Sequence, residues 1–545
     1  MQNQQRWLNR LLLFSYIAVT IGIFCSLFVQ PIGKNNVILD DAYMFVRYAD
    51  NLFSDGNVSW NPGGPPTFGL TSILYWAVMV VPIRSFVDSA SATAILASFL
   101  SGCLFLVLMM WMVIRHTNAG PVGKRLMALL ILVLITNSRG VITTHFLMGM
   151  DTLFALVGLT VYILLCKWHE QAVSWGSMIV VSMAGALLGS VRPDLLLYAF
   201  MVPASLFLFT KNANRRWVAV GIGVMTSAFL LLMIGAATTF LNSPLPLPFY
   251  AKGLTLYGHT FYQVHRYDAF VHAKDFIAAH HLLLAALVIG ILSQVKSWWR
   301  GLTPVDRGIL GAAILFFIYM LFFVTSVTGK MGRLYYPLLP VIIFLSVRTF
   351  SIHVDTIPHG LFSDLKKHLQ PFFAHPSTSY TLLLVVVILF TPYLYQMRYL
   401  SKAPAYSFDV HTHYTSSPNA RHTWFALDQL AALPADITMA TTEIGLVAAM
   451  NPHKTLIDLA GLNDSDIAHH GFSAERLLQT HQPDFIYLPH PHYQEMRTEI
   501  LNNQRFQEEY VYFSAEELNA LMDIAIHTKS KYYTQMLQIV QSAYE

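Results

Sequence analysis

Charge is scarce in this chain: Asp, Glu, Lys and Arg make up 12% of its 545 residues, whereas hydrophobic residues make up 55%. That balance excludes an ordinary soluble domain, in which about a quarter of residues are charged, and makes the lipid bilayer the first expected partner. Cysteine is nearly absent as well. Cys25, Cys103 and Cys166 all fall inside apolar runs, where a thiol behaves as a small hydrophobe, so neither a disulfide framework nor a zinc site is implied. The chain also lacks a Walker A loop, a glycine-rich dinucleotide loop and a Gly-x-Ser-x-Gly elbow, which leaves nucleotide-driven and hydrolase readings without an anchor. Internal repeats and low-complexity tracts are missing too.

What is present is a series of apolar runs. A spanning helix needs roughly 20 mostly apolar residues, and that rule yields about eleven transmembrane helices. They lie near residues 11–31, 92–114, 125–143, 150–167, 173–190, 195–210, 217–240, 281–296, 308–327, 334–348 and 380–397. The first follows Arg6 and Arg10 and reads as an uncleaved span, because no small-residue cleavage site follows it. The apolar segment Thr71 to Phe86 reads as a juxtamembrane or re-entrant helix; counting it as a span breaks the positive-inside rule. With that choice Arg115, Lys124, Arg125, Lys167, Arg215, Arg300, Arg348 and their neighbours all face the cytoplasm.

Charge separates the chain into two regions. Residues 1–397 hold 25 Lys and Arg against 13 Asp and Glu, and residues 398–545 hold 9 against 17. The expected fold class is a polytopic α-helical membrane protein with a C-terminal soluble α/β domain. A transmembrane domain, 1–397, carries exoplasmic loops 32–91 and 241–280, and residues 398–545 form an exoplasmic domain. In the latter, strand-like ITMATTEIGLVAAM, KTLIDLAGL and PDFIYLP alternate with helical candidates AERLLQTH and AEELNALMDIAI.

Candidate chemistry starts at VILDDAYMFVRYADNL, where Asp40 and Asp41 adjoin. From Ala42 the apolar residues Phe45, Val46, Ala49, Leu52 and Phe53 recur at helical spacing, with Arg47, Asp50 and Asn51 on the other face. This predicts a short amphipathic helix at the membrane interface with Asp41 at its N-cap. Capping needs one carboxylate; two neighbours that raise each other's pKa suit a general base or a divalent-cation ligand. Several cations stand against the cytoplasmic bias: Lys34, Arg47, Arg84, Arg139, Arg192, Lys252, Arg266, Lys274, Lys330 and Arg333. Such residues need acidic partners or an anionic ligand. Arg192 has Asp194 two residues away, whereas Lys252 and Arg333 have no acid nearby in sequence, which favours a phosphate ligand there. The histidines of HTHYT, 411–415, and HPH, 490–492, sit on expected loops without a ligand set.

The motifs DDAYMFVRYADNL, WNPGG, GLTSILYW, MGMDTLF, VRPDLLL, LPFYAK, GRLYYPLLP and LIDLAGLNDSDIAHHG, in this order along nearly the whole chain, resemble the GT-C fold glycosyltransferases related to the mycobacterial terminal β-(1→2)-arabinofuranosyltransferase. The chain departs from that family's pattern at Lys330, where an acid often precedes the GRF-like motif, and at Leu195, where the family has glycine. Both departures are consistent with a changed donor or acceptor, and arabinose is not carried over.

The resemblance implies an inverting transferase of the bacterial inner membrane, with its N-terminus cytoplasmic and its C-terminal domain periplasmic. It takes a sugar from a polyprenyl-phosphate donor and adds it to a hydroxyl of a glycan or glycolipid acceptor. Asp40 or Asp41 is then the base, while Lys252, Arg333, Arg192 and Arg47 hold the donor phosphate. Trp60, Asn61, Tyr250, Asp151 and Asp194 are sugar or acceptor contacts, with Asp151 equally able to cap its helix. A divalent cation is possible, other cofactors are not implied, and no nucleic acid partner is expected. A transporter or flippase of a lipid-linked sugar predicts inverted repeats and broken helices, which the sequence lacks; a non-catalytic glycan-binding protein leaves the acid pair unexplained.

Overall fold

Apolar helices with polar punctuation dominate the computed structural model, which describes residues 38–117, 121–136, 145–253, 266–293, 295–324, 330–356, 410–416 and 418–544. The helical region opens with α1 (Ala42–Asp55), followed by α2 (Ile73–Arg84), α3 (Ala90–His116), α4 (Pro121–Thr136), α5 (Thr152–Gln171), α6 (Trp175–Val191) and α7 (Leu196–Phe209). It continues through α8 (Ala213–Leu241), α9 (Leu247–Gly253), α10 (Arg266–Ser293), α11 (Val295–Gly301), α12 (Pro304–Phe322) and α13 (Leu338–Thr356).

Helix starts follow local chemistry. Ser89 caps α3, Asn212 caps α8, and reciprocal capping boxes open α6 (Ser174 with Ser177) and α12 (Thr303 with Asp306). Each satisfies backbone donors that would otherwise be left over at a helix start. Among the described residues five helices or helix segments are long and apolar enough to cross a membrane: α3, α5, α8, Phe270–Ser293 and α12. Shorter apolar helices cover the expected spans at 173–190, 195–210 and 334–348. α4 overlaps the one expected at 125–143, and those at 11–31 and 380–397 lie outside the described residues. α2, broken by a π turn over Trp76–Val80, is too short to cross.

Burial separates central from peripheral helices. α5 is buried along most of its length, whereas α8 buries only Ala219, Ile222, Thr226 and Leu241 and exposes Leu231 and Leu232, as expected of a helix whose solvent is lipid. Little of α1 is wet: Arg47 and Asn51 are buried along with its apolar face. The interfacial helix with a solvated polar side is corrected here, because the C-terminal region covers that side.

The C-terminal region forms a five-stranded sheet of β1 (Thr438–Thr441), β2 (Thr455–Asp458), β3 (Phe485–Tyr487), β4 (Tyr510–Phe513) and β5 (Ile524–His527), in the order β2-β1-β3-β5-β4. The first three strands are parallel and the last two antiparallel. Three expectations fail locally. The strand read over ITMATTEIGLVAAM ends at Thr441, and Gly445–Met450 is a helix, α14, whose first amides find the Asp40 carboxylate. AEELNALMDIAI is turns leading into β5, whose apolar run pairs between β3 and β4. The HTHYT run lies in the helix Val410–Ser416.

Candidate active site

The two adjacent carboxylates separate. Asp40 accepts hydrogen bonds from the amides of Gly445 (2.8 Å) and Leu446 (2.5 Å) at the start of α14. Gly445 comes so close that a Cβ there would stand 1.8 Å from the Asp40 carbonyl oxygen, so no other residue fits without a shift. Asp41 occupies the N-cap position of α1 but makes no capping bond with its side chain. Its Oδ2 instead lies 3.4 Å from a terminal guanidinium nitrogen of Arg333, at the wall of a cavity of about 320 Å³. Asp40 ties two regions together and Asp41 faces the cavity.

Five of the expected site residues join Asp41 in lining this cavity: Asp151, Arg192, Asp194, Lys252 and Arg333. They arrive from the starts of α5 and α7, the end of α6, the short helix α9, and the turn before α13. Arg192 donates from Nε to Asp194 Oδ1 (3.2 Å) and from a terminal nitrogen to Oδ2 (2.5 Å), the sequence-local pair expected for it. Asp151 makes no capping bond and instead takes the Ser72 hydroxyl at 2.5 Å. Lys252 is exposed as a residue, yet its ammonium stands in a surround of protein. Loss of hydration there holds its ammonium below the ordinary lysine value, Asp41 opposes the shift and Arg333 adds to it. Phe249 and Phe323, both more than half exposed, add apolar surface to the lining.

Besides Asp40, four expected residues lie elsewhere. Arg47 is 3% exposed and donates to the carbonyls of Trp60 (2.7 Å), Ala448 (3.4 Å), Asn451 (3.0 Å) and Lys454 (2.7 Å) and to Asn61 Oδ1 (3.2 Å). Those acceptors leave it no capacity for a phosphate. Trp60, 2% exposed, lies against the Arg47 guanidinium and donates to the Leu456 carbonyl, so no sugar can reach its ring. Asn61 pairs its amide with both N–H and C=O of Leu456, completing the outer edge of β2 as a neighbouring strand would. Tyr250 packs its ring 4.4 Å from that of His469. Among the other cations against the cytoplasmic bias, Arg84 pairs with Asp50, and Lys34 and Arg139 lie outside the described residues.

Two quoted motifs supply cavity residues that the sequence does not single out as site candidates, Leu70 among them. Gly69 and Thr71 of GLTS line the wall, as does Leu462 of LIDLAGLND. That second motif also braces the site. Asp458 accepts from Ala460 N, Asn463 N and Asn463 Nδ2, and Asn463 Oδ1 takes the Tyr48 hydroxyl of α1 at 3.0 Å. Burial pushes the Asp458 carboxyl up to about 7 against the pull of the Asn463 bonds. Gly69 lies where a Cβ would sit 2.2 Å from Asn463 Oδ1, so the loop passes close only because no side chain is there. Among the described residues no group of three or more His, Cys, Asp or Glu is gathered as a metal-ligand set.

Comparison with known proteins bears on the fold. Residues 411–534 match a family model described as a domain of unknown function, DUF8728. No curated protein matches the chain. Among solved structures, ArnT from Cupriavidus metallidurans in the apo state is similar over 95% of this chain and 98% of its own, with a TM-score of 0.54 and 13% sequence identity. At that identity the likeness is one of architecture, and it shows that this chain shares the overall fold of that protein.

Proposed function

We propose that the protein is a multi-pass inner-membrane glycosyltransferase that moves a sugar from a polyprenyl-phosphate donor to a hydroxyl of a cell-envelope glycan or glycolipid, with inversion. The observation that carries this reading is a single cavity that pairs a cation-facing carboxylate, Asp41, with Arg333, Lys252 and Arg192. In the reaction the acceptor oxygen attacks the anomeric carbon, the bond from that carbon to the phosphate oxygen breaks, and the hydroxyl proton passes to Asp41. The bonding electrons leave with the lipid phosphate, which gains one negative charge, and the three cations are suited to stabilise it. Asp151 and Asp194 serve as hydrogen-bond acceptors for sugar hydroxyls. Phe249 and Phe323 suit a prenyl chain at the cavity.

The sequence resemblance and the GT-C fold support the same reading, and Lys330 and Leu195 are consistent with a sugar other than arabinose. A divalent cation would draw its carboxylate ligands from Asp41, Asp151 and Asp194 in the cavity lining. The test supplies purified wild type, Asp41→Asn and Asp40→Asn with a panel of polyprenyl-phosphate sugars and an envelope glycan extract, then measures free polyprenyl phosphate and glycosylated product. Transfer by wild type and Asp40→Asn but not by folded Asp41→Asn is expected. Equal transfer by folded Asp41→Asn sinks the assignment of the base, and lipid-to-lipid phosphate exchange without a glycoside product sinks the reaction.

A further inference from the structure

A second cavity opens at the far end of the bundle. α5 is 20 residues long, so its two ends are about 30 Å apart; Asp151 and Thr152 at its start line the first cavity, and Lys167, Glu170 and Gln171 at its end line the second. α12 connects the two in the same way, with Pro304 in the second and Tyr319 in the first. The second is an open cleft of about 620 Å³ walled by Arg115, Lys167, Arg215, Arg300 and Arg348.

Its carboxylates are already committed. Asp306, fully buried behind the wall, takes Lys167 Nζ at 2.9 Å and Arg348 Nε at 3.1 Å, and Glu170 also pairs with Lys167. Among the described residues no carboxylate pairs with Arg115, Arg215 or Arg300, all three exposed. His116 lines the same cleft at 7% exposure, and its Nε2 has no hydrogen-bond partner among the described residues. A buried imidazole nitrogen without a partner among the described residues, beside three guanidinium groups that no carboxylate neutralises, of which Arg115 reaches only the Gln171 amide oxygen at 3.5 Å, fits an anion with several acceptor oxygens.

The tryptophans indicate where that anion comes from. Every exposed tryptophan among the described residues lies at this end: Trp111 one turn from Arg115, Trp168 next to Lys167, Trp175 at the start of α6, Trp217 two residues from Arg215, and Trp299 next to Arg300. Exposed indoles collect at the headgroup level of a bilayer. From this arrangement we infer that the cleft is a binding site for the phosphate headgroup of an anionic phospholipid, in the leaflet opposite the sugar-transfer cavity. Arg115, Arg215 and Arg300 grip the phosphate, His116 offers a further hydrogen bond, and the indoles hold the cleft at headgroup depth.

The test uses the full chain, stripped of lipid in detergent, and measures bound phospholipid by native mass spectrometry and the thermal unfolding midpoint. The probes are phosphatidylglycerol, phosphatidylcholine and inorganic phosphate. Wild type and the distant-charge control Lys274→Gln are expected to retain phosphatidylglycerol over phosphatidylcholine and to be stabilised by it. The double variant Arg215→Gln with Arg300→Gln should bind phosphatidylglycerol about tenfold more weakly. Equal retention of both lipids by wild type, or undiminished binding by the double variant, overturns the site. Stabilisation by inorganic phosphate equal to that by phosphatidylglycerol overturns the lipid assignment. Should the double variant not fold, Arg115→Gln in the same assay decides by the same criterion. Sugar transfer is read separately, so loss of one proposal leaves the other standing.

Discussion

Around α1, the side that meets the cavity and the side that meets the C-terminal sheet domain each use one aspartate and one arginine, and they satisfy them differently. On the docking side Asp40 takes two backbone amides and Arg47 places its five N–H groups on five acceptors. On the cavity side Asp41 meets Arg333 at 3.4 Å, and the Asp41 side chain remains 34% exposed beside the open volume. Saturated hydrogen bonding fixes a structure. A carboxylate and a guanidinium that keep capacity beside an open volume can take a ligand.

The largest expected effect sharpens this contrast at its cavity end. Asp41→Asn keeps the size of the side chain and removes the base, and transfer should fall by roughly 10²–10⁴-fold with little change in unfolding midpoint. Steady-state release of polyprenyl phosphate, read beside thermal unfolding, checks it; a stability loss that accounts for the lost turnover would place Asp41 on the structural side of the comparison.

Next comes the docking side. Arg47→Met leaves five neutral acceptors facing a thioether, and each buried acceptor left without a donor costs about 1–3 kcal/mol. The expected result is a lower denaturation midpoint and faster proteolysis at the junction of α1 and α14. If Arg47→Met instead folds as wild type and loses donor affinity, the phosphate role first expected for Arg47 is restored.

Much of this organisation is written in the chain, but unevenly. Apolar runs located most of the described helices because lipid solvation demands length and composition alone. Asp41, Asp151, Arg192, Asp194, Lys252 and Arg333 were named from local sequence and meet in one cavity. Arg47, Trp60 and Asn61 were misplaced because their partners, from Ala448 to Leu456, lie some 400 positions away, and no spacing rule reports such a distance. The same cause hid the difference between Asp40 and Asp41. Their pairing looked chemical in sequence, and only the approach of Gly445 shows that one of them is a cap for another domain's helix.

That cap sets the third prediction. Asp40→Ala deprives two α14 amides of their acceptor and should cost roughly 1–2 kcal/mol, the range for a lost helix cap. Gly445→Ala, which forces a Cβ against the Asp40 carbonyl, should loosen the same junction. Hydrogen exchange at Gly445 to Met450 reads both; unchanged protection would mean that the bonds of Arg47, Tyr48, Trp60 and Asn61 hold the domain in place without the cap.

The smallest effect is one of pH, and it concerns Lys252. Its ammonium sits below the ordinary lysine value because of lost hydration, so the folded protein binds fewer protons than the unfolded chain in the interval between the two values. Stability therefore rises with pH there, while attraction for the donor phosphate declines. A bound phosphate raises the lysine again by favouring its charged form. The alkaline limb of kcat/KM, which reports the free enzyme, should accordingly break at lower pH than that of kcat, which reports the complex. Lys252→Arg keeps a charge that does not titrate in this range and should remove the limb from kcat/KM with KM little altered at neutral pH. Persistence of the same limb in Lys252→Arg would assign it to another group and take Lys252 out of the phosphate-binding set.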